Sequence, residues 1–160
     1  MAKQRPNVIP TVYLVLIKDN KILLSRRYNT GFQDGKYSFP AGHLKGDEET
    51  LRQAMIREAR EEVGIEIHPT DIELIHVIHR KQQEPTDERR INFFFTAKKW
   101  RGEPKNMEPD KCDDLRWFDI DNLPDNTIAY IKQAISCFRE KIRYSEYGWQ
   151  KTNFKTSTID

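Results

Sequence analysis

Apolar residues along the chain fall into short, strand-length runs broken by polar turns, with helical spacing in two places. Residues 8–17 are rich in Val, Ile and Tyr and predict a strand; the Lys18-Asp19-Asn20-Lys21 turn leads into a second strand at 22–26. Residues 28–36, with two glycines, Asn29 and Asp34, form a loop, and 37–39 are a short strand stopped by Pro40. A glycine-bearing loop precedes a helix at 51–63, closed by Gly64 as its C′ residue. Strands follow at 65–67, 72–79 and 91–98, with a loop at 82–88, and a loop holding Pro104 and Pro109 leads to a strand at 115–118. A second helix covers 127–143, with Asp125 or Asn126 as its cap. Residues 1–7 and 144–160 are polar and weakly patterned and are taken as tails around one domain at 8–143. Strands in the middle and two helices apart in sequence predict an α/β or α+β fold with a mixed sheet.

Composition narrows the function classes. A chain of 160 residues has room for one domain. Its 27 Lys and Arg against 25 Asp and Glu leave a charge of +2, which removes the strongly basic signature of a general nucleic-acid binder. Hydrophobic residues at 37% beside charged residues at 32% support a packed core and argue against disorder along the whole length. Cys112 and Cys137 have no metal-ligand spacing and are too few for a disulfide scaffold, so they are packing residues and a reducing cytoplasm is the expected compartment. The opening MAKQRPNVIP has no apolar signal core, and the runs at 12–17 and 93–95 fall far short of the roughly 20 residues a membrane span needs.

The segment 41–65, AGHLKGDEETLRQAMIREAREEVGI, carries the chemistry. Thr50 with Gln53 three residues later is a capping-box pattern that starts the helix. At about 100° per residue, Leu51, Ala54, Met55, Ala59 and Val63 share one arc, and Glu58 and Glu62 fall inside it, with Glu61 at its edge. The i, i+3, i+4 spacing brings these three carboxylates to one spot. A solvated acidic face paired with Arg57 and Arg60 is the ordinary explanation of such a helix, but here the acids overlap the apolar arc. Unpaired buried carboxylates cost several kcal/mol and repel one another. A hard divalent cation with oxygen ligands, Mg²⁺ or Mn²⁺, resolves the conflict.

These residues resemble the Nudix box, Gly-x5-Glu-x7-Arg-Glu-U-x-Glu-Glu-x-Gly-U with U apolar. Positions 57–65, from Arg57 through Gly64 to Ile65, match its second half without a gap. Gly42 has Glu48 at the required spacing, but only Glu49 is correctly spaced from Arg57, so the loop holds one extra residue. The capping signal at Thr50 places that residue within 45–48 and assigns Glu49 to the box. The basic pair Arg26-Arg27 and the Trp100-Arg101-Gly102-Glu103-Pro104 stretch resemble the branch of nucleoside-triphosphate-sanitising, MutT-like enzymes.

The resemblance implies an α/β/α sandwich, a mixed sheet between helices, and hydrolysis of a phosphoanhydride in a nucleoside diphosphate linked to another moiety. It implies that Glu58, Glu61, Glu62 and Glu108, with a backbone carbonyl of Ala41 or Gly42, hold one to three Mg²⁺ ions, Mn²⁺ being able to substitute. Glu58 or Glu108 takes the proton of the attacking water, and Arg57 orients the helix carboxylates or contacts substrate. Arg26 and Arg27 are candidates for phosphate contact, and Tyr28, Phe32 and Tyr37 for stacking a base against ordinary packing. Asn126 either reads a base edge or caps the second helix. His76 and His79 lie at odd separation on one strand, and His43 and His68 have no paired cysteine, so zinc is not expected. A small nucleotide, foremost a (deoxy)nucleoside triphosphate giving monophosphate and pyrophosphate, is the expected substrate. The alternatives are an RNA 5′ end and a non-catalytic nucleotide-binding regulator. The second of these conflicts with the retained Glu58, Glu61 and Glu62. A membrane partner is not expected, and the oligomeric state, monomer or homodimer, stays open.

Overall fold

The computed structural model describes residues 3–149. In chain order the first elements are β1 (Ile9–Val15), β2 (Ile17–Lys18), β3 (Lys21–Arg27), β4 (Tyr37–Ser38) and β5 (Ala41–His43). Then come α1 (Leu51–Glu58), a π-helical turn (Ala59–Val63) and a 3₁₀ turn (Pro69–Asp71). They are followed by β6 (Ile72–Arg80), β7 (Arg90–Ala97), β8 (Cys112–Asp119), α2 (Ala129–Arg139) and β9 (Tyr144–Tyr147).

β1 is buried on both faces, which is why its sequence reads as one apolar run rather than an alternation. Tyr13 and Val15 join Ile78, Phe94 and the α2 residues Tyr130, Ile131, Ala134 and Ile135 in one core. Val12, Leu14 and Leu16 join Phe95 and the α1-side residues Ala54, Met55, Ala59 and Val63 in the other. The strand pairs in parallel with β7 and antiparallel with β5, and the sheet runs β5-β1-β7-β6-β9. This mixed sheet between α1 and α2 is the expected α/β/α layering. A second sheet joins β2, β3, β4 and β8, and its hairpin turn at Asp19 and Asn20 has φ of 51° and 58°, the left-handed pair that a tight hairpin requires. Among the described residues no helix is long and apolar enough to cross a membrane.

Several elements differ from the sequence expectation, each for a reason of tertiary contact. The predicted strand at 65–67 is a single bridge, Glu66 to Arg101, whereas the glycine-bearing loop contains β5, whose partner β1 is distant in sequence. β8 starts at Cys112, earlier than the expected 115, because it pairs along the whole length of β3. α2 stops at Arg139, short of 143, as Lys141 takes φ of 60°. Neither Asp125 nor Asn126 caps it; Ile128 is the N-cap and makes no side-chain cap. Within the stretch taken as a tail, residues 144–147 are a sheet strand, parallel to β6. Ser145 is buried there beside His76, whose ring nitrogens lie 2.9 Å from its Oγ and 2.8 Å from the Ile142 carbonyl. Four residues are too few to show a period. The rest of that tail, 150–160, lies outside the described residues.

Candidate active site

The acidic centre is assembled by α1, its π turn, β5 and the segment before β8. Thr50 caps α1 with the expected box, its side chain accepting from Gln53 N–H and Gln53 accepting from Thr50 N–H. After Glu58 the helix widens into the π turn and ends at Gly64, φ 73°. A π turn holds an extra residue, so the uniform helical wheel does not describe Glu61 and Glu62. Glu62 points at β5, where its Oε2 accepts from Ala41 N–H at 2.9 Å. Glu58 is buried and fills the space where a side chain at position 42 would begin: a Cβ on Gly42 would overlap its carboxylate. Backbone bonds from Lys105 N–H to the Val63 carbonyl and Met107 N–H to the Glu62 carbonyl dock the 105–108 segment on the helix end and bring Glu108 to the same cleft as Glu62.

Arg57 ties the box together. Its guanidinium donates to both Glu49 oxygens at 2.7 and 3.0 Å, to Glu58 Oε1 at 2.7 Å, to Glu61 Oε2 at 3.1 Å and to the His43 carbonyl at 2.8 Å. The arginine therefore braces carboxylates, as the orienting role requires. Glu49, not Glu48, is the partner, and it also accepts from Lys45 N–H at 2.6 Å. That set of donors holds the Glu49 carboxyl down at about 2, Arg57 being the main cause. Glu61 is exposed and is drawn to Lys45 at 2.9 Å, which lowers its pKa. Burial and the Glu61 and Glu108 charges push Glu58 up against the opposing pull of Arg57. Glu62 rises to about 8, from burial first and then the charge of Glu58.

A cleft of about 370 Å³ opens beside these acids, and its lining combines Glu62, Glu108 and Ala41 with Arg26, Arg27 and Lys111. A bulge in the β3–β8 pairing between Arg26 and Arg27 sends the two arginines to different partners. Arg26 Nε lies 2.7 Å from Asp113, and Arg27 donates to the Phe32 carbonyl at 2.6 Å and to Thr30 Oγ1 at 2.9 Å. The larger depression, about 550 Å³ between residues 66–71 and 99–101, contains none of the box glutamates.

Four expected substrate contacts are placed elsewhere. Tyr28 is exposed and outside the cleft lining. Phe32 packs its ring against the guanidiniums of Arg27 and Arg80, 5.6 and 5.5 Å from its centroid, so it braces the 28–36 loop. Asn126 neither caps α2 nor faces the cleft; its amide donates to the Gly35 carbonyl at 2.8 Å and holds the same loop. Tyr37 is buried and bonded to Asp114, so it is a packing residue. Sequence reasoning missed Lys111, a lone lysine in a loop with no motif around it, and treated His43 only as a zinc candidate, although both line the cleft.

Among the described residues no three acidic or imidazole groups close into a ready-made ion cage, since Glu58 and Glu61 are turned to Arg57 and Lys45. The donor set still suits a hard divalent cation. It is all oxygen, and its carboxylates raise one another's proton affinity, a penalty that a cation between them reverses.

Comparison with known proteins agrees with this arrangement. A NUDIX-domain profile matches residues 8–136. The NAD-capped RNA hydrolase NudC of Stutzerimonas stutzeri is 32% identical over 119 residues, which are 74% of this chain but 39% of NudC, so the chain spans about two fifths of that relative. The 8-oxo-dGTP diphosphatase of Escherichia coli is 30% identical over 115 residues, 71% of this chain and 84% of that enzyme. The crystal structure of a MutT NUDIX hydrolase from Burkholderia pseudomallei superposes with a TM-score of 0.73 at 26% identity, covering 83% of this chain and 98% of the other. Sequence profile, fold and the gathering of the box residues around Arg57 and Gly42 agree: the chain belongs to the NUDIX family.

Proposed function

We propose that this protein is a Mg²⁺-dependent pyrophosphohydrolase. Its substrate is a nucleoside diphosphate linked to a further group, foremost a (deoxy)nucleoside triphosphate cleaved to monophosphate and pyrophosphate. One observation carries this reading: a single cleft lined by Glu62 and Glu108 together with Arg26, Arg27 and Lys111, with Glu58 packed behind Gly42. The likeness to the E. coli 8-oxo-dGTP diphosphatase over most of that enzyme's length supports a free nucleotide.

Glu58, Glu61, Glu62 and Glu108, with a carbonyl of Ala41 or Gly42, are the groups that would hold the metal. A bound divalent cation supplies charge neutralisation, a polarised phosphoryl oxygen and a more acidic water. The chain's own residues do the rest. Arg26, Arg27 and Lys111 offset the charge of the phosphates and align the anhydride. Glu58 or Glu108 accepts the proton as water oxygen bonds to phosphorus and the bridging P–O bond breaks, its electrons leaving with the departing phosphate. Arg57 touches no reacting atom in this scheme and keeps Glu58 in place.

A second reading, a dinucleotide pyrophosphate such as an NAD cap on RNA, is favoured by the likeness to NudC. Purified protein with Mg²⁺, with and without EDTA, is to be tested on nucleoside triphosphates, ADP-ribose, dinucleoside polyphosphates and NAD-capped RNA, with products separated by chromatography. Monophosphate and pyrophosphate from one triphosphate, lost with EDTA, is the expected result. Cleavage of the cap alone selects the second reading, and binding without turnover of any substrate refutes both.

A further inference from the structure

His43 has no part in the scheme above, yet it lines the cleft with Glu62, Glu108, Arg27 and Lys111. Its backbone is fixed by the bond from Arg57 to its carbonyl and by pairing with Thr11 in β1. Its ring is fixed by a different group: Arg90 Nη1 lies 2.6 Å from His43 Nε2. Arg90 opens β7 and is itself held by Thr11 Oγ1 at 3.1 Å, Asp87 at 3.6 Å and Glu88 at 3.5 Å. Asp87, in the loop between β6 and β7, is in turn buried and paired with Arg80 at the end of β6, which ties the clamp to the sheet.

A guanidinium carries only donors and keeps its proton. The imidazole nitrogen facing it must therefore accept, which puts the ring in its neutral form with the hydrogen on Nδ1. Among the described residues Nδ1 has no hydrogen-bond partner. In a cleft that Arg27 and Lys111 also line, such a donor can add a hydrogen bond to an anionic oxygen that the two cations attract.

We propose that Arg90 locks His43 as a neutral Nδ1–H donor and that this N–H binds a phosphoryl oxygen of the substrate. The inference rests on the pyrophosphohydrolase reading, and it makes His43 a substrate-contacting residue and Arg90 a positioning residue acting through it.

The test begins with ¹⁵N-histidine-labelled protein in a long-range ¹H–¹⁵N correlation experiment at mildly alkaline pH, His43 being assigned by the signals that disappear in H43L. The wild type is expected to show the Nδ1–H tautomer at His43, R90M a mixture with Nε2–H, and Mg²⁺ with inorganic pyrophosphate a shift of the Nδ1 signal. In turnover, H43L is expected to lower kcat/KM by about 10- to 100-fold, the span of one hydrogen bond to a charged oxygen. H43N, whose amide N–H falls near the Nδ1 position, is expected to recover most of that loss, a rescue that a purely structural role would not produce. An Nε2–H ring or an imidazolium in the wild type, no shift with pyrophosphate, or unchanged kcat/KM in H43L would overturn the proposal. The tautomer and the pyrophosphate shift are read without turnover, so they decide the matter even if no nucleotide on the panel is cleaved.

Discussion

Replacing Gly42 by Ala tests the site through a single methyl group. Gly42 is not among the residues with left-handed φ, so its backbone accepts Ala without strain, and the stiffer unfolded chain contributes about 0.4–1 kcal/mol of stability. The obstacle is space alone, because the new Cβ would overlap the Glu58 carboxylate. Glu58 must swing away and give up its 2.7 Å bond from Arg57, a charge-assisted contact that contributes about 1.5–3 kcal/mol. The net stability loss expected is about 0.5–2.5 kcal/mol, measured by urea unfolding. Metal-dependent turnover is expected to fall further, by about 100-fold or more, since a displaced Glu58 serves neither as metal ligand nor as base. Ala at position 58 removes the Cγ, Cδ and Oε1 atoms that the new methyl would overlap. G42A/E58A is therefore expected to be little less stable than E58A alone, a coupling that a double-mutant cycle detects. Wild-type activity in folded G42A, or strictly additive stability losses, would refute the close-approach argument.

Glu62→Gln is expected to abolish Mg²⁺-dependent turnover while the melting temperature holds or rises, because an amide keeps the Ala41 contact and removes a carboxylate from a mutually repelling set; full activity in the folded variant would sink the metal-site reading. Glu49→Gln should harm activity more than Glu48→Gln, since only Glu49 pairs with Arg57 in both oxygens. Glu49 also sets a pH dependence: its carboxyl sits at about 2 against an ordinary 4.5, so its stabilisation is complete above 4.5 and is lost as the pH falls towards 2. Unfolding curves of E49Q should therefore lack part of the wild type's acid slope; superimposable slopes would contradict it. Asp87→Asn leaves Arg80 buried with its charge unmatched, and a loss of about 3–5 kcal/mol is expected in urea unfolding, whereas a loss within about 1 kcal/mol would show the pair to be dispensable.

Much of the site was legible in the sequence because its residues are local to one helix. Thr50 with Gln53 marks the helix start, Gly64 its end, and Glu58, which falls inside the apolar arc, is buried. Even the extra loop residue resolves from the capping signal, as the Glu49 pair with Arg57 agrees with the assigned register. Side chains whose partners lie far along the chain behave differently. Phe32 and Asn126 have the right chemistry for a base, yet Arg80 and the Gly35 carbonyl claim them.

Local pattern thus determines the continuous apolar strand, the capped helix, the family and the identity of the box acids, because each depends on residues a few positions apart. Tertiary structure alone decides which acids share the cleft, through the docking of 105–108 on the helix end, the π turn that redirects Glu62, and the empty Cβ position at Gly42. It also decides that 144–147 are sheet and that Arg90 meets His43, 47 positions apart in sequence. Hydrogen bonds and exclusion of volume act through space, and a sequence records the groups that take part in them but not which of them will meet.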